Sequence, residues 1–251
     1  MTKGKDLVEL GFVRIDKKHL DRLRSGALSL NPLPPSFPSS SEYIGGEPAK
    51  HIKNHSFTTI SNIMWNGAIY RRLHYLYQTP FIGAYISDRD YLKLLSNLRY
   101  YLESPLTFTE ASQTKFAVQN NAGKLPIIGL LAGDIKIYFY DENSELEVKN
   151  NWLKRLDRIN WDSLYITYFC NPYASKLEQT ESLAEFERFE FDFKVAFTAT
   201  PCSQFNSAIH LTDYGKKDLD LIVASAKAID ITAWLNKTYG IDLQKYLIND
   251  N

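Results

Sequence analysis

Cysteine is nearly absent: Cys170 and Cys202 are the only two in 251 residues, too few for a disulfide framework or for the four-ligand cage of a structural zinc. Net charge is absent as well. Lys plus Arg and Asp plus Glu both number 29, so no overall field recruits nucleic acid, acidic lipid or a cationic partner, and a charged ligand has to be held locally. No apolar run approaches the ~18–20 residues of a membrane span, and the stretch MTKGKDLVELGFVRIDKK has no apolar core of signal-peptide length. The expectation is a cytoplasmic protein with no transmembrane segment and no nucleic-acid partner, association with a membrane surface being left open. Catalytic signatures are missing too: there is no G-x-S-x-G elbow, Walker loop, G-x-G-x-x-G or H-E-x-x-H, which counts against the enzyme classes built on them.

Aromatic residues are plentiful. With 16 Tyr and 14 Phe in a chain that is 44% hydrophobic, there is ample material for a core, and most of these rings belong in it. Residues 1–55 differ from the rest, because NPLPPSFPSSS between positions 31 and 41 carries four prolines and a serine run. Proline at that density excludes helix and central strand. The chain therefore divides into an N-terminal Pro/Ser-rich arm, 1–55, with a short helix near Lys17 to Arg24, and an α/β domain, 56–251.

From Ser56 onward strand-like and helix-like periods alternate, as expected of βα units. Strands are predicted near Phe57–Ser61, Phe81–Ile86, Leu106–Phe108, Asp134–Tyr140, Leu164–Phe169, Lys194–Thr198 and Ala208–Leu211, and helices near Gly67–Tyr77, Asp88–Leu102, Ser144–Ile159, Glu178–Phe189 and Leu219–Thr238. In the second helix Tyr91, Leu94, Leu95, Leu98 and Leu102 form one apolar stripe. KLPIIGLLAG at 124–133 suits either a short strand or a buried loop. The fold class this implies is α/β, three-layer, with a mostly parallel open sheet and helices on both faces.

Open α/β sheets place ligands at the carboxyl ends of their strands. At the first such junction stand Ser61, Asn62, Trp65, Asn66 and Gly67, followed by Tyr70. A helix N-terminus attracts anions there, the two Asn supply donors and acceptors, Gly67 allows close approach, and Trp65 or Tyr70 offers a ring to stack on. The competing reading is that these residues cap the helix and plug the core. His74 has the pKa range for acid–base work, and Asp141, following its strand, would emerge at the same edge in a parallel sheet, with Glu142 beside it. Ser87-Asp88-Arg89-Asp90 contains an Asp-x-Asp of the kind that holds a metal against a diphosphate. It reads better as a capping box ahead of the second helix, so no metal site is assigned. Cys170 and Cys202 read as buried thiols.

The segments just named resemble a bacterial family, domain of unknown function nineteen-nineteen, whose members are labelled exopolysaccharide or capsule biosynthesis proteins. The likeness rests on Ile60, Ser61, Asn62, Trp65, Gly67 and Tyr70; on Thr79, Pro80, Phe81 and Gly83; and on the helix from Asp90 to Leu102. It continues through Gly129, Leu130 and the strand from Asp134, through Trp152, Arg155, Arg158, Ile159 and Asn160, and through Phe197, Thr198 and Pro201. It spans roughly residues 56 to 240. At the central strand, where members of the family carry histidines, this chain has Tyr138 and Asp141, which does not favour a histidine mechanism there. The resemblance implies an α/β fold and a role near surface-polysaccharide assembly, and brings no settled reaction. Together these readings lead to the expectation of a glycosyl- or acyltransferase-like enzyme. Its activated donor, a nucleotide-sugar or acyl-CoA, would bind at Ser61, Asn62, Trp65, Asn66, Gly67 and Tyr70, with His74 or Asp141 as base and a saccharide as acceptor. The alternatives are a non-catalytic sugar-binding or assembly subunit and a carbohydrate esterase.

Overall fold

The computed structural model describes the backbone of 7–10 and 13–16, and residues 51–109, 125–212, 214 and 221–248. In the arm, β1 (Leu7–Leu10) and β2 (Val13–Asp16) pair antiparallel. The proposed Lys17–Arg24 helix and the proline-rich stretch lie outside the described residues.

The domain is built on a parallel sheet in the order β3 (Thr58–Ser61), β8 (Leu164–Phe169), β9 (Phe193–Thr198), β10 (Ala208–His210). Strands β8 and β9, LYITYF and FKVAFT, are buried along almost their whole length, the composition of strands covered on both faces. Their side chains alternate. Tyr165 and Phe169 enter one core with α1 (Trp65–Leu73) and α7 (Ile231–Leu235). Ile166 and Tyr168 enter a second, with α2 (Asp88–Ser96), α3 (Leu98–Glu103), α4 (Glu145–Leu156) and α5 (Lys176–Glu187). The remaining helix, α6 (Leu221–Ala228), follows β10.

Helices on both faces of a parallel sheet are thus present, but the sheet is smaller than expected. Strands β5 (Leu106–Thr109), β6 (Ile127–Leu131) and β7 (Ile135–Phe139) form a separate antiparallel sheet with β4 (Ala84–Tyr85), in the order β4-β7-β6-β5. The reason is local. Only three residues separate β6 from β7, too few for a parallel crossover, and Ala132 (φ 53°) and Gly133 (φ 79°) turn the chain with two left-handed residues, as tight hairpins require. KLPIIGLLAG is therefore a strand with its turn. The expected helix from Asp88 to Leu102 is broken at Asn97 (φ −151°), and that from Leu219 to Thr238 is interrupted after Ala228.

Long-range polar bonds fix the layers. The Tyr91 hydroxyl of α2 lies 3.0 Å from the carbonyl of Ile60 and 2.9 Å from that of Thr167, on neighbouring strands. Lys194 reaches from β9 to the end of α5, its Nζ donating to the carbonyls of Phe186, Glu187 and Phe189, a cation on a helix C-terminus. At the amino edge Asn54 Nδ2 meets Ser163 Oγ, Tyr165 Oη and the Leu235 carbonyl. That bond set ties the end of the arm to the sheet.

Candidate functional site

The carboxyl ends of the parallel strands are joined to the second sheet by one backbone bond, from the Ile86 N–H to the Asn62 carbonyl (2.9 Å). This bond brings the start of α2 over the sheet edge. Ser87 caps that helix, its Oγ accepting from the Asp90 N–H at 3.3 Å, as the sequence predicts. Asp90 turns away, accepting from the Lys136 N–H. Asp88 turns toward the sheet. Its Oδ2 accepts from the Asn171 N–H (2.9 Å) and from the Tyr168 hydroxyl (2.8 Å).

Both of those bonds end on one oxygen, and Oδ1 accepts none among the described residues. Tyr85, Tyr168, Cys170 and Tyr214 all lie within electrostatic reach of this carboxyl. Burial lifts its pKa to about 6, from 3.8, against the lowering pull of the Asn171 and Tyr168 bonds. A partly desolvated carboxylate with one oxygen anchored and one open is equipped to take or give a proton near neutral pH.

The residues singled out from sequence fall into three places. Ser61, Asn62, Trp65, Asn66 and Gly67 are all buried at the carboxyl edge beside this site. Asn62 spends its amide on the sheet: Nδ2 donates to the Phe169 carbonyl and Oδ1 accepts from the Phe169 N–H, both at 2.9 Å. In effect it adds one rung to the β3–β8 ladder. Ser61 Oγ accepts from the Ile63 N–H, and Trp65 Nε1 donates to Ser225 Oγ (2.9 Å). Neither amide atom of Asn66 is bonded among the described residues. Tyr70 lies deeper, stacked on Phe57, donating to the Phe57 carbonyl and accepting from the Thr59 N–H.

His74 and Asp141 are elsewhere. His74 is exposed and closes α1 at its far end in the left-handed conformation (φ 57°), nine residues from the helix start. Asp141 follows an antiparallel strand instead of a parallel one, and its side chain packs on Gly83, where a Cβ would meet its Cγ at 2.4 Å. Beside it the buried Glu142 faces Arg155 at 3.4 Å. Burial pushes Glu142 up and Arg155 down, and each partner pulls the other back.

Cys170 and Cys202 are buried free thiols, both pushed upward by burial, the opposite of an activated nucleophile. Among the described residues no group of three or more His, Cys, Asp or Glu is placed to hold a metal ion, and no helix is long and apolar enough to cross a membrane. From sequence Asp88 reads only as half of an Asp-x-Asp metal motif, set aside in favour of capping; its place at the sheet edge is what that reading misses. The signal was there: a capping box uses Ser87 and the residue three on, and leaves the intervening acid unexplained.

A family model described as a domain of unknown function (DUF1919) matches residues 40–244. The match starts inside the arm, ahead of the resemblance read from the motifs, and takes in the docked segment around Asn54. An uncharacterized protein of Haemophilus influenzae is 26% identical over 190 residues, covering 76% of this chain and 82% of the relative.

Proposed function

The chain belongs to the DUF1919 family, and from the site it builds we propose that it is a cytoplasmic transferase of bacterial surface-polysaccharide (exopolysaccharide or capsule) biosynthesis. The enzyme moves a group from an activated donor, a nucleotide-sugar or acyl-CoA, to a saccharide hydroxyl. One observation carries this reading: Asp88 stands at the carboxyl edge of the parallel sheet with Oδ2 anchored and Oδ1 accepting no bond among the described residues. In the step envisaged, the acceptor oxygen forms a bond to the transferred group as the bond to the leaving group breaks. The leaving group departs with the electron pair, and the hydroxyl proton passes to Asp88 Oδ1. Tyr168 and the Asn171 N–H hold the carboxylate in place.

Asp88 is better suited to this role than His74 or Asp141, because it alone shares the edge with Asn62, Trp65 and Asn66. The test is transfer from either donor class to oligosaccharide acceptors, read by mass spectrometry of the products. Asp88→Asn should lower turnover at least ~100-fold with an unchanged circular dichroism spectrum, and wild-type turnover should rise with pH through about 6. Undiminished turnover in the variant would remove Asp88 from the chemistry.

A second reading, a non-catalytic sugar-binding or assembly subunit, has an observation of its own. A groove of about 440 Å³ lies between α3, the start of β5 and α4, and is walled by Trp152, Trp161 and Leu153 with Glu103, Lys149 and Asp157. Oligosaccharide binding that survives Asp88→Asn but is lost in Trp161→Ala would favour it.

A further inference from the structure

We propose that the first turn of α1 is a phosphate-binding element, with Asn66 as a direct ligand to the anion. The proposal rests on the reading above, since it names the part of the donor that the carboxyl edge holds. Helix α1 has nine residues, and its first turn is both buried and uncapped. Met64 stands at the cap position with no side-chain oxygen to offer, no cap bond is made, and the turn contains no acidic residue. The leading N–H groups of a helix need an acceptor, and a buried end without one is an unmet demand.

The second observation is independent of the backbone. Asn66 is wholly buried, and neither Oδ1 nor Nδ2 has a hydrogen-bond partner among the described residues. Helical side chains lean toward the N-terminus, so an amide at the second position extends over the same turn whose N–H groups no side chain caps. A phosphate oxygen can accept from the Nδ2 and from those N–H groups, and a protonated phosphate oxygen can donate to Oδ1.

A cation, Arg71, lies beside this turn, its Nη1 donating to Tyr77 Oη at 3.4 Å. The Arg71 guanidinium folds back one turn along the helix, so that a methyl placed on Gly67 would lie 3.5 and 3.6 Å from its two terminal nitrogens. The same turn also adjoins the proton-transfer site: Asn62, three residues before Trp65, accepts the Ile86 N–H two residues before Asp88. A diphosphate is common to nucleotide-sugars and acyl-CoA, so one phosphate site serves either donor class.

The experiment measures the thermal midpoint and the ³¹P NMR line width of the full chain against inorganic phosphate, pyrophosphate, uridine diphosphate and coenzyme A, with sodium chloride at matched ionic strength. Pyrophosphate is expected to raise the midpoint by several degrees and to broaden the ³¹P line. A response to the two organic diphosphates that exceeds the response to free phosphate assigns the site to a donor. Asn66→Asp should abolish every response, because its charge satisfies the helix end and repels the anion. Asn66→Leu, near-isosteric and losing no partner, should weaken binding at least tenfold and guards against a folding defect in the first variant. Asp88→Asn should keep the pyrophosphate response. Loss of turnover in Asp88→Asn without any phosphate response in the wild type would overturn this proposal alone. A phosphate response dependent on Asn66, with turnover untouched by Asp88→Asn, would overturn the catalytic assignment alone. An unchanged response in both Asn66 variants also overturns the phosphate site.

Discussion

At the residue scale the role proposed for Asp88 has a consequence for stability. Its pKa in the folded protein, about 6, exceeds the 3.8 of a free carboxylate, so the native state holds this proton more tightly than the unfolded chain does. The ionised group therefore weighs against folding at neutral pH; that penalty shrinks as pH falls through about 6 and is gone below the unfolded value. The rise from 3.8 to about 6 bounds the effect at about 3 kcal/mol. Asn at this position keeps an oxygen for Tyr168 and Asn171 and carries no charge. Asp88→Asn should accordingly stabilise the protein by about 1–2 kcal/mol at pH 7.5 and by almost nothing at pH 4, as read from urea unfolding at the two pH values. A variant less stable than wild type at pH 7.5 would mean that the carboxylate is more hydrated than its surroundings suggest.

Asn62 makes the contrasting case. Its two bonds to the Phe169 backbone are buried, so Asn62→Ala orphans an N–H and a carbonyl on the neighbouring strand. A loss of about 2–4 kcal/mol is expected in urea unfolding, and a neutral result would require another group to close the ladder. That Asn62 is polar and sits after a strand was legible in the sequence. What its amide pairs with was not, because the partner lies 107 residues on. The same holds for Tyr70, whose ring and hydroxyl are both taken up by the residues around Phe57.

At the scale of elements, the alternation of periods located strands well and sheets poorly. The strand at Leu164–Phe169 is found where the pattern puts it, since its apolar run is continuous. Which sheet a strand joins depends on its connections, and there the β6–β7 turn decides. Had Ala132-Gly133 been read as a hairpin turn, Asp141 would have been placed off the parallel edge. Another glycine tests how the two sheets are joined. Gly83 has φ +65° and is in contact with the Asp141 carboxylate, and its carbonyl accepts from the Tyr140 N–H. Gly83→Ala combines left-handed strain with a collision, so a loss of about 2–4 kcal/mol is expected. Gly133→Ala is the control. It has the same kind of backbone angle with open space around it, and only the strain of about 1 kcal/mol should appear. Equal losses at the two positions would show that the contact with Asp141 contributes nothing.

At the scale of the whole molecule, a single sheet edge serves each end of the domain differently. At the carboxyl edge stand Asp88 and Asn66, beside the carbonyl of Asn62 that links the sheets. The amino edge is closed by the chain that leads into it. Ile52 is buried, the Lys53 N–H donates to Asn236 Oδ1 at 2.7 Å, and Asn54 joins Ser163, Tyr165 and Leu235. These contacts connect residues 109 to 183 positions apart, so the segment 51–56 acts as a clasp between β8 and α7. A chain beginning at residue 57 should be less stable than one beginning at residue 51 by at least about 3 kcal/mol, the sum expected from one buried isoleucine and the part-buried hydrogen bonds of Asn54. Urea unfolding of the two fragments measures this. Asn54→Ala in the full chain should supply about 1–3 kcal/mol of that loss, because its amide is the shared node. Since the clasp and the carboxyl edge lie at opposite ends of the same strands, pyrophosphate should raise the thermal midpoint of the Asn54→Ala protein as much as it raises that of the wild type. A response reduced in proportion to the lost stability would instead tie the phosphate site to the strength of the amino edge.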